Sequence, residues 1–391
     1  MNRSIASVVV TSCAALAFAA APGIANADDR TDLYQQPVLD LAEHADGDVV
    51  RAVPIPALPA THAELILYKS TDTNGNPMVV SGYTITPDVP WNGPGPRPVV
   101  AYAPGTSGLA DRCAGSHGVG SSQDMAVITP FLAQGYQVAA TDYQGLGTPG
   151  VHTYLNRQGA GNALLDVARA ATTEADTPVL VYGYSEGGHA SAAAAELAPS
   201  HAPELNLKGT YVGAPPADIT LNIDNTDGTS LAGNLFYVLN GMIAAYPDRA
   251  ESIRDIFNDE GLRILDETTN DCVSDSARFG GVQFHNVTKD GRGLREHLAD
   301  EPFASIVDEN TIGFTAPSKP VFISHGVPDD TVPVEQTRTL VQRWHDAGAT
   351  DMTVREFDFP PIPVAGINHL PAGPAAFPEL LQWMTQRLAD S

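Results

Sequence analysis

The chain has 391 residues and sets 46 acidic side chains against 21 Lys and Arg, for a formal net charge of −25. Such an excess repels nucleic-acid phosphates and anionic membrane surfaces, so neither is expected as a partner. The length accommodates one large α/β domain with a sizeable insertion, or two domains.

Residues 1–27 read as a secretory signal. Arg3 supplies the positive start, Ile5 to Ala21 the apolar core, and Ala25-Asn26-Ala27 a small-x-small cleavage site before Asp28-Asp29. Thr11, Ser12 and Cys13, then Pro22 and Gly23, interrupt the apolar run and argue against a retained transmembrane helix. No later stretch is long and apolar enough to span a bilayer. Cys13 lies inside the apolar run rather than at its end, which argues against a lipid anchor. The expected product is a secreted monomer. Once the leader is removed, Cys113 and Cys272 are the only cysteines. In an exported chain they most simply form one disulfide, with two reduced buried thiols as the alternative.

Asp28 to Pro59 is punctuated by proline, carries few strand signals and reads as an arm. From Ala63, AELILYKS and MVVSGYTITP flank the turn Asn74-Gly75-Asn76-Pro77, an antiparallel hairpin signature. A Pro/Gly loop, Pro87 to Pro98, precedes the buried-strand run PVVAYAP. An alternation of strand and helix follows. Asp124 to Gln134 is helical, GYQVAATDY a strand, Ala160 to Ala171 helical, TPVLVYGY a strand, and the alanine-rich run from His189 helical. LKGTYVGAPP is the next strand. Short apolar strands alternating with helices predict a mostly parallel sheet covered on both faces.

From Ile219 to Thr315 the rhythm breaks. LAGNLFYVLNGMIAAY and DRAESIRDIFNDEGLRILDE look helical, and the remainder is polar and irregular. This segment, 219–315, is expected to be an inserted helical cap between core halves 28–218 and 316–391. Its first helix is apolar enough to line a pocket, face a lipid interface or form cap core. The sheet pattern resumes with KPVFISHG, a helix from Val334 to Ala347, the strand MTVREFDFP and a closing helix near Phe377 to Leu388. An antiparallel start with a parallel continuation suits the α/β-hydrolase architecture.

Gly183-Tyr184-Ser185-Glu186-Gly187 is a G-x-S-x-G pentapeptide between a strand and a helix. Small residues on either side of the serine allow a turn tight enough to lift its hydroxyl clear of the backbone, over the helix N-terminus. A serine nucleophile needs a base, and the base an orienting acid. In this architecture the chain order is Ser, acid, His. Only His345 and His369 follow the resumed strand, and His345 falls inside a helix expected to cover the outside of the sheet. His369, in a loop past the last strand, is therefore the expected base. The acid should follow KPVFISHG; Asp329 is the first choice there, and Asp330 remains the alternative. Two backbone amides must hold the oxyanion. Glu186, directly after the nucleophile, and Thr106, in the loop Pro104-Gly105-Thr106, are the candidates.

Gly145-Leu146-Gly147-Thr148-Pro149-Gly150 fits G-x-G-x-x-G after a strand, but Pro149-Gly150 is a poor start for the helix that a dinucleotide site requires. The histidines show no metal-like spacing, so no cofactor and no metal are expected. Asn286-Val287-Thr288 is a glycosylation acceptor only in a host that modifies such sites.

Taken together, AYAPGTSGLADRCAGS, TDYQGLGTPGVHTYL, GYSEGGHA, HGVPDDTVP and the terminal INH resemble the secretory lipase family of α/β-hydrolases, the group containing fungal lipases of the lipase A type. The resemblance runs from about Pro54 to Leu388. It implies a Ser185–Asp329–His369 triad, a helical cap over an acyl-binding tunnel, a disulfide from Cys113 to Cys272, and ester hydrolysis without cofactor. Fungal members carry an acidic residue in the first oxyanion loop, where this chain has Gly105-Thr106. The expected activity is that of a secreted lipase or esterase acting on acylglycerols. The rival readings are acyl transfer, short-chain or polymer ester hydrolysis on the same triad, and a non-catalytic lipid-binding protein.

Overall fold

The computed structural model describes residues 33–34, 38 and 40–389, without 57, 120 and 121. The expected leader, 1–27, lies outside these residues. The described strands are β1 (Val49–Ile55), β2 (Thr61–Thr71), β3 (Pro77–Pro87), β4 (Val99–Ala103), β5 (Gln137–Thr141), β6 (Pro178–Tyr184), β7 (Asn206–Gly213), β8 (Val321–Gly326) and β9 (Met352–Phe357). They form one sheet in the order β1-β2-β3-β5-β4-β6-β7-β8-β9. The first three strands are antiparallel, β3 meets β5 antiparallel, and every later pairing is parallel. This is the α/β-hydrolase fold.

The β2–β3 hairpin pairs Thr61 with Pro87 through to Thr71 with Pro77. The Asp72 carboxylate fixes its turn by accepting from the Asn74 and Asn76 amides at 2.8 and 2.7 Å. The arm differs from expectation, because part of it is the edge strand β1, paired along β2. Its Val53-Pro54-Ile55 run carried the signal, but proline weakened it as a strand marker.

Two-residue periodicity sorts the central strands into two apolar faces. Val100, Tyr102, Leu180 and Tyr182 point to one cluster, and Val99, Ala101, Val179 and Val181 to the other. Helix α1 (Ser122–Ala133) covers the first face together with the closing helix Ala372–Ala389. Helices α2 (Arg157–Ala171) and α3 (Glu186–His201) cover the second.

Between β7 and β8 lie α4 (Ile223–Thr226), α5 (Gly233–Ala245), α6 (Ala250–Asp255), α7 (Asp259–Thr268), α8 (Leu294–Leu298) and α9 (Phe303–Asn310), joined by short 3-10 turns. These helices share an apolar cluster of their own, including Phe236, Leu239, Phe257, Ile264, Phe284 and Phe303. The core contributes Leu109 and Tyr154 to it. Helix α5 is largely buried: Phe236 and Leu239 pack in this cluster, while Leu235 and Val238 also border a cavity. A disulfide, Cys113–Cys272, ties the unit to the loop after β4. Helix α10 (Glu335–Asp346) follows β8, and α11 (Ala372–Ala389) starts five residues before the expected Phe377, with Pro378 inside it. No described helix is long and apolar enough to cross a membrane.

Candidate active site

Ser185 sits at the junction of β6 and α3 with φ 63° and ψ −121°, a strained backbone for a residue with a Cβ. Packing explains the glycines around it. A Cβ on Gly183 would lie 1.9 Å from the Gly187 carbonyl oxygen, and one on Gly187 would lie 2.1 Å from that of Ala103 on β4. The elbow therefore closes on itself and on the neighbouring strand. The Ser185 amide donates to the Gly213 carbonyl of β7 at 2.9 Å, and the Ser185 carbonyl accepts from the His189 amide at 2.9 Å. With its backbone so committed, the serine borders a cavity of about 700 Å³.

The same cavity is bordered by His369. Its Nδ1 lies 2.7 Å from Asp329 Oδ2, while Nε2 is buried and without a hydrogen-bond partner among the described residues. The remaining oxygen of Asp329 accepts from the Thr331 and Val332 amides, each at 2.9 Å. Burial alone would raise the Asp329 pKa. Hydrogen bonds and charge from His325 and His369 outweigh that and hold the carboxyl well below its usual range. His325, fully buried on β8, lies 3.3 Å from Asp329 and is tied to Thr337 and the Val332 carbonyl. Nothing in the spacing of HGVPDD marked this second imidazole, though a histidine ending a buried strand needs polar partners.

Asp330 does not contact His369 through a hydrogen bond. Its Oδ2 accepts from the Gly366 amide and the Asn368 side chain, both at 3.0 Å. It is thus a strut for the loop that carries the histidine. Tyr184 adds a second strut, its hydroxyl donating to the His369 carbonyl at 2.5 Å. His345 lies exposed on α10, away from these groups.

Glu186 opens α3 directly after Ser185, and Thr106 is part of the cavity wall. The Glu186 carboxylate is buried and meets His152 Nε2 at 2.6 Å. Sequence reasoning gave Glu186 only an amide role and left His152 unassigned. A glutamate at a buried helix N-terminus needs a partner, and the nearby VHTYL could have supplied the candidate.

The cavity wall is mixed in origin. Tyr154, Tyr184 and Phe377 come from the core, and Ile219, Leu231, Leu235 and Val238 from the segment between β7 and β8. Its surroundings are chiefly apolar, as an acyl chain would require. Among the described residues, Asp46, Asp166 and His201 form one group with metal-like spacing. Lys69 and Arg169 already bond those carboxylates at 2.5 Å each, so the cationic partners there are side chains. The G-x-G-x-x-G stretch is a loop that leads to α2 only at Arg157.

The model of the family described as secretory lipase matches residues 113–391. Candida albicans Lipase 5 is 28% identical over 391 residues, covering 91% of this chain and 80% of its own length. A Mycobacterium tuberculosis protein named probable inactive lipase is 28% identical over 346 residues, covering 85% of this chain and 74% of that protein. Among solved structures, Candida antarctica lipase A superposes with a TM-score of 0.79 at 24% identity, covering 92% of this chain and 85% of that one. With the family model spanning well over half its length, the chain belongs to the secretory lipase family and is a carboxylic ester hydrolase.

Proposed function

We propose that the chain hydrolyses carboxylic esters, acylglycerols among them, through Ser185, His369 and Asp329. Ser185 attacks the ester carbonyl as His369 Nε2 takes its proton. Asp329 holds the imidazole by Nδ1 and stabilises its positive charge. The amides of Glu186 and Thr106 receive the oxyanion. His369 then protonates the departing alcohol and activates the water that frees the acyl group. Export after removal of residues 1–27 completes the reading, and the Cys113–Cys272 disulfide accords with an oxidising destination.

The observation that carries the reading is one buried histidine, held 2.7 Å from a carboxylate by one nitrogen and leaving the other unpartnered in a cavity wall that it shares with Ser185. A relative named probable inactive lipase makes catalysis the point to test. Ser185→Ala should lose essentially all hydrolysis of p-nitrophenyl esters while keeping the wild-type melting temperature. Wild-type rates in that variant would refute the assignment.

A further inference from the structure

The loop between β5 and α2, residues 142–156, packs three rings together behind the proposed oxyanion site. Tyr143 stacks on His152 with centroids 5.5 Å apart, and Tyr154 meets His152 edge-on at 5.8 Å. Each ring also reaches one of the two segments that carry the proposed donor amides. The Tyr143 hydroxyl donates to the Pro104 carbonyl at 2.6 Å. The Tyr154 hydroxyl shares a hydrogen bond with Thr106 Oγ1 at 2.8 Å. His152 itself holds the Glu186 carboxylate at 2.6 Å. The two proposed donor amides belong to different elements, the loop after β4 and the start of α3. This one buried cluster grips both.

We propose that His152, flanked by Tyr143 and Tyr154, is the positioning residue that sets the spacing of the Glu186 and Thr106 amides for the oxyanion. The inference rests on the proposed triad and adds residues to which that triad assigns no task. The chemistry of the contact favours a fixed geometry. His152 Nδ1 lies 3.1 Å from the Gln144 carbonyl, which can only accept, so Nδ1 carries a hydrogen and the ring cannot flip without losing that bond. A proton then lies between Nε2 and the Glu186 carboxyl group whichever of them formally owns it, giving a short hydrogen bond inside the protein. His152 and Glu186 are only 1% and 4% exposed, so little water competes for the pair.

The glycine-rich stretch acquires a reason on this account. Gly145 has φ +72°, and a Cβ there would lie 2.3 Å from the Val151 carbonyl oxygen and 3.1 Å from the His152 amide nitrogen. The stretch folds flat on itself so that Tyr143 and His152, nine positions apart, can stack. A plain turn would not need so close an approach. A buried polar pair kept only for stability gains little over apolar packing, whereas a rigid donor pair matters to a reaction whose charge appears at one oxygen.

The experiment uses the mature chain with p-nitrophenyl butyrate as substrate and phenylboronic acid as a tetrahedral-adduct inhibitor. His152→Ala, Tyr143→Phe and Tyr154→Phe are compared with wild type. A lost oxyanion donor costs about 10²–10³-fold in kcat, so a misplaced one should cost about tenfold or more in His152→Ala and a few-fold in each phenylalanine variant. KM should stay within about twofold, and the boronic acid Ki should rise in proportion to the fall in kcat/KM. Tyr143→Phe and Tyr154→Phe keep their rings, so they supply the answer if His152→Ala does not fold. Folded variants with wild-type kcat and Ki, or with losses confined to KM, would overturn the inference. Fluorophosphonate labelling of the wild-type protein keeps the two levels apart. Labelling at Ser185 with unaltered variants sinks only the positioning role, whereas absence of labelling sinks the triad.

Discussion

The sheet core and the helical segment between β7 and β8 meet across one cavity but are held together in different ways. In the core, backbone comes so close to backbone that side chains are excluded, as at Gly183 against Gly187 and Gly187 against Ala103. Buried charge there is locked into hydrogen-bonded sets: Asp329 with His369 and two amides, and Glu196 with Arg157, Trp344 and the Gly313 amide. The inserted segment rests on a phenylalanine-rich cluster, on helix caps such as Asn258 receiving the Gly261 amide at 3.0 Å, and on the Cys113–Cys272 bond. Its ion pairs are mostly exposed, for example Arg263 with Glu260 and Glu267, and each such pair is worth little. Precision is thus concentrated where the proposed mechanism moves charge, and adaptable apolar packing where it would seat an acyl chain.

The sharpest way to break this contrast is to exchange the two adjacent aspartates. Asp329→Asn keeps the shape but loses the charge that holds the imidazole, and kcat should fall about 10⁴-fold. Asp330→Asn retains a polar side chain beside Gly366 and Asn368 and should cost no more than about tenfold, a loss of the kind expected when a catalytic group is slightly misplaced. Equal losses in steady-state kinetics would erase the distinction between acid and strut.

Stability comes next. Glu196→Ala leaves Arg157 and the Trp344 indole without their buried partner and should cost about 3–5 kcal/mol in denaturant melts. Removing the disulfide by Cys113→Ser with Cys272→Ser should cost about 2–5 kcal/mol. If the helical segment is held by that bond as described, limited proteolysis of the double variant should cut first between residues 219 and 315. Cleavage first in the β2–β3 hairpin would contradict this.

Specificity should respond to the segment rather than to the core. Val238→Trp narrows the cavity from the α5 side, so kcat/KM for long-chain p-nitrophenyl esters should drop at least about tenfold, the lower end of what one methylene is worth in an apolar pocket. Acetate and butyrate esters should be spared. A uniform loss across chain lengths would mean that this wall does not select the acyl group.

The last contrast is in acid stability. Burial, with a contribution from Arg157, pushes His189 from 6.5 down to about 3. Between those values the unfolded chain binds the proton and the folded chain does not, so stability is greatest above about pH 6.5 and declines as pH falls, by at most about 1.4 kcal/mol per pH unit. His189→Gln should flatten the melting temperature between pH 6.5 and 4. Asp329, held low by its histidines, adds stability above the ordinary carboxylate range that is lost only in stronger acid.

Much of the core was legible because period-two apolar strands, helix starts and the glycine elbow are local signals. The sequence also pointed to Ser185, Asp329 and His369 through chain order; Ser185 and His369 border one cavity, and Asp329 lies hydrogen-bonded to the histidine. What escaped were pairings across long separations. His152 and Glu186 lie 34 positions apart, and Glu196 meets the Gly313 amide 117 positions away. No period marks such contacts. The arm was misread because its strand, β1, has a proline and takes its partners from β2 rather than from its own composition. The helices of the inserted segment were visible, but not the face each would bury, since α5 is apolar round most of its surface and its Asn240 is buried as well.

The most direct test of the account is covalent. The mature protein would be treated with a fluorophosphonate and the modified residue located by peptide mass mapping, alongside His369→Ala. One equivalent on Ser185, with labelling at least about 10³-fold slower in the histidine variant, is the outcome expected of a serine activated by that base. Labelling at another residue, or at the same rate in His369→Ala, would contradict it.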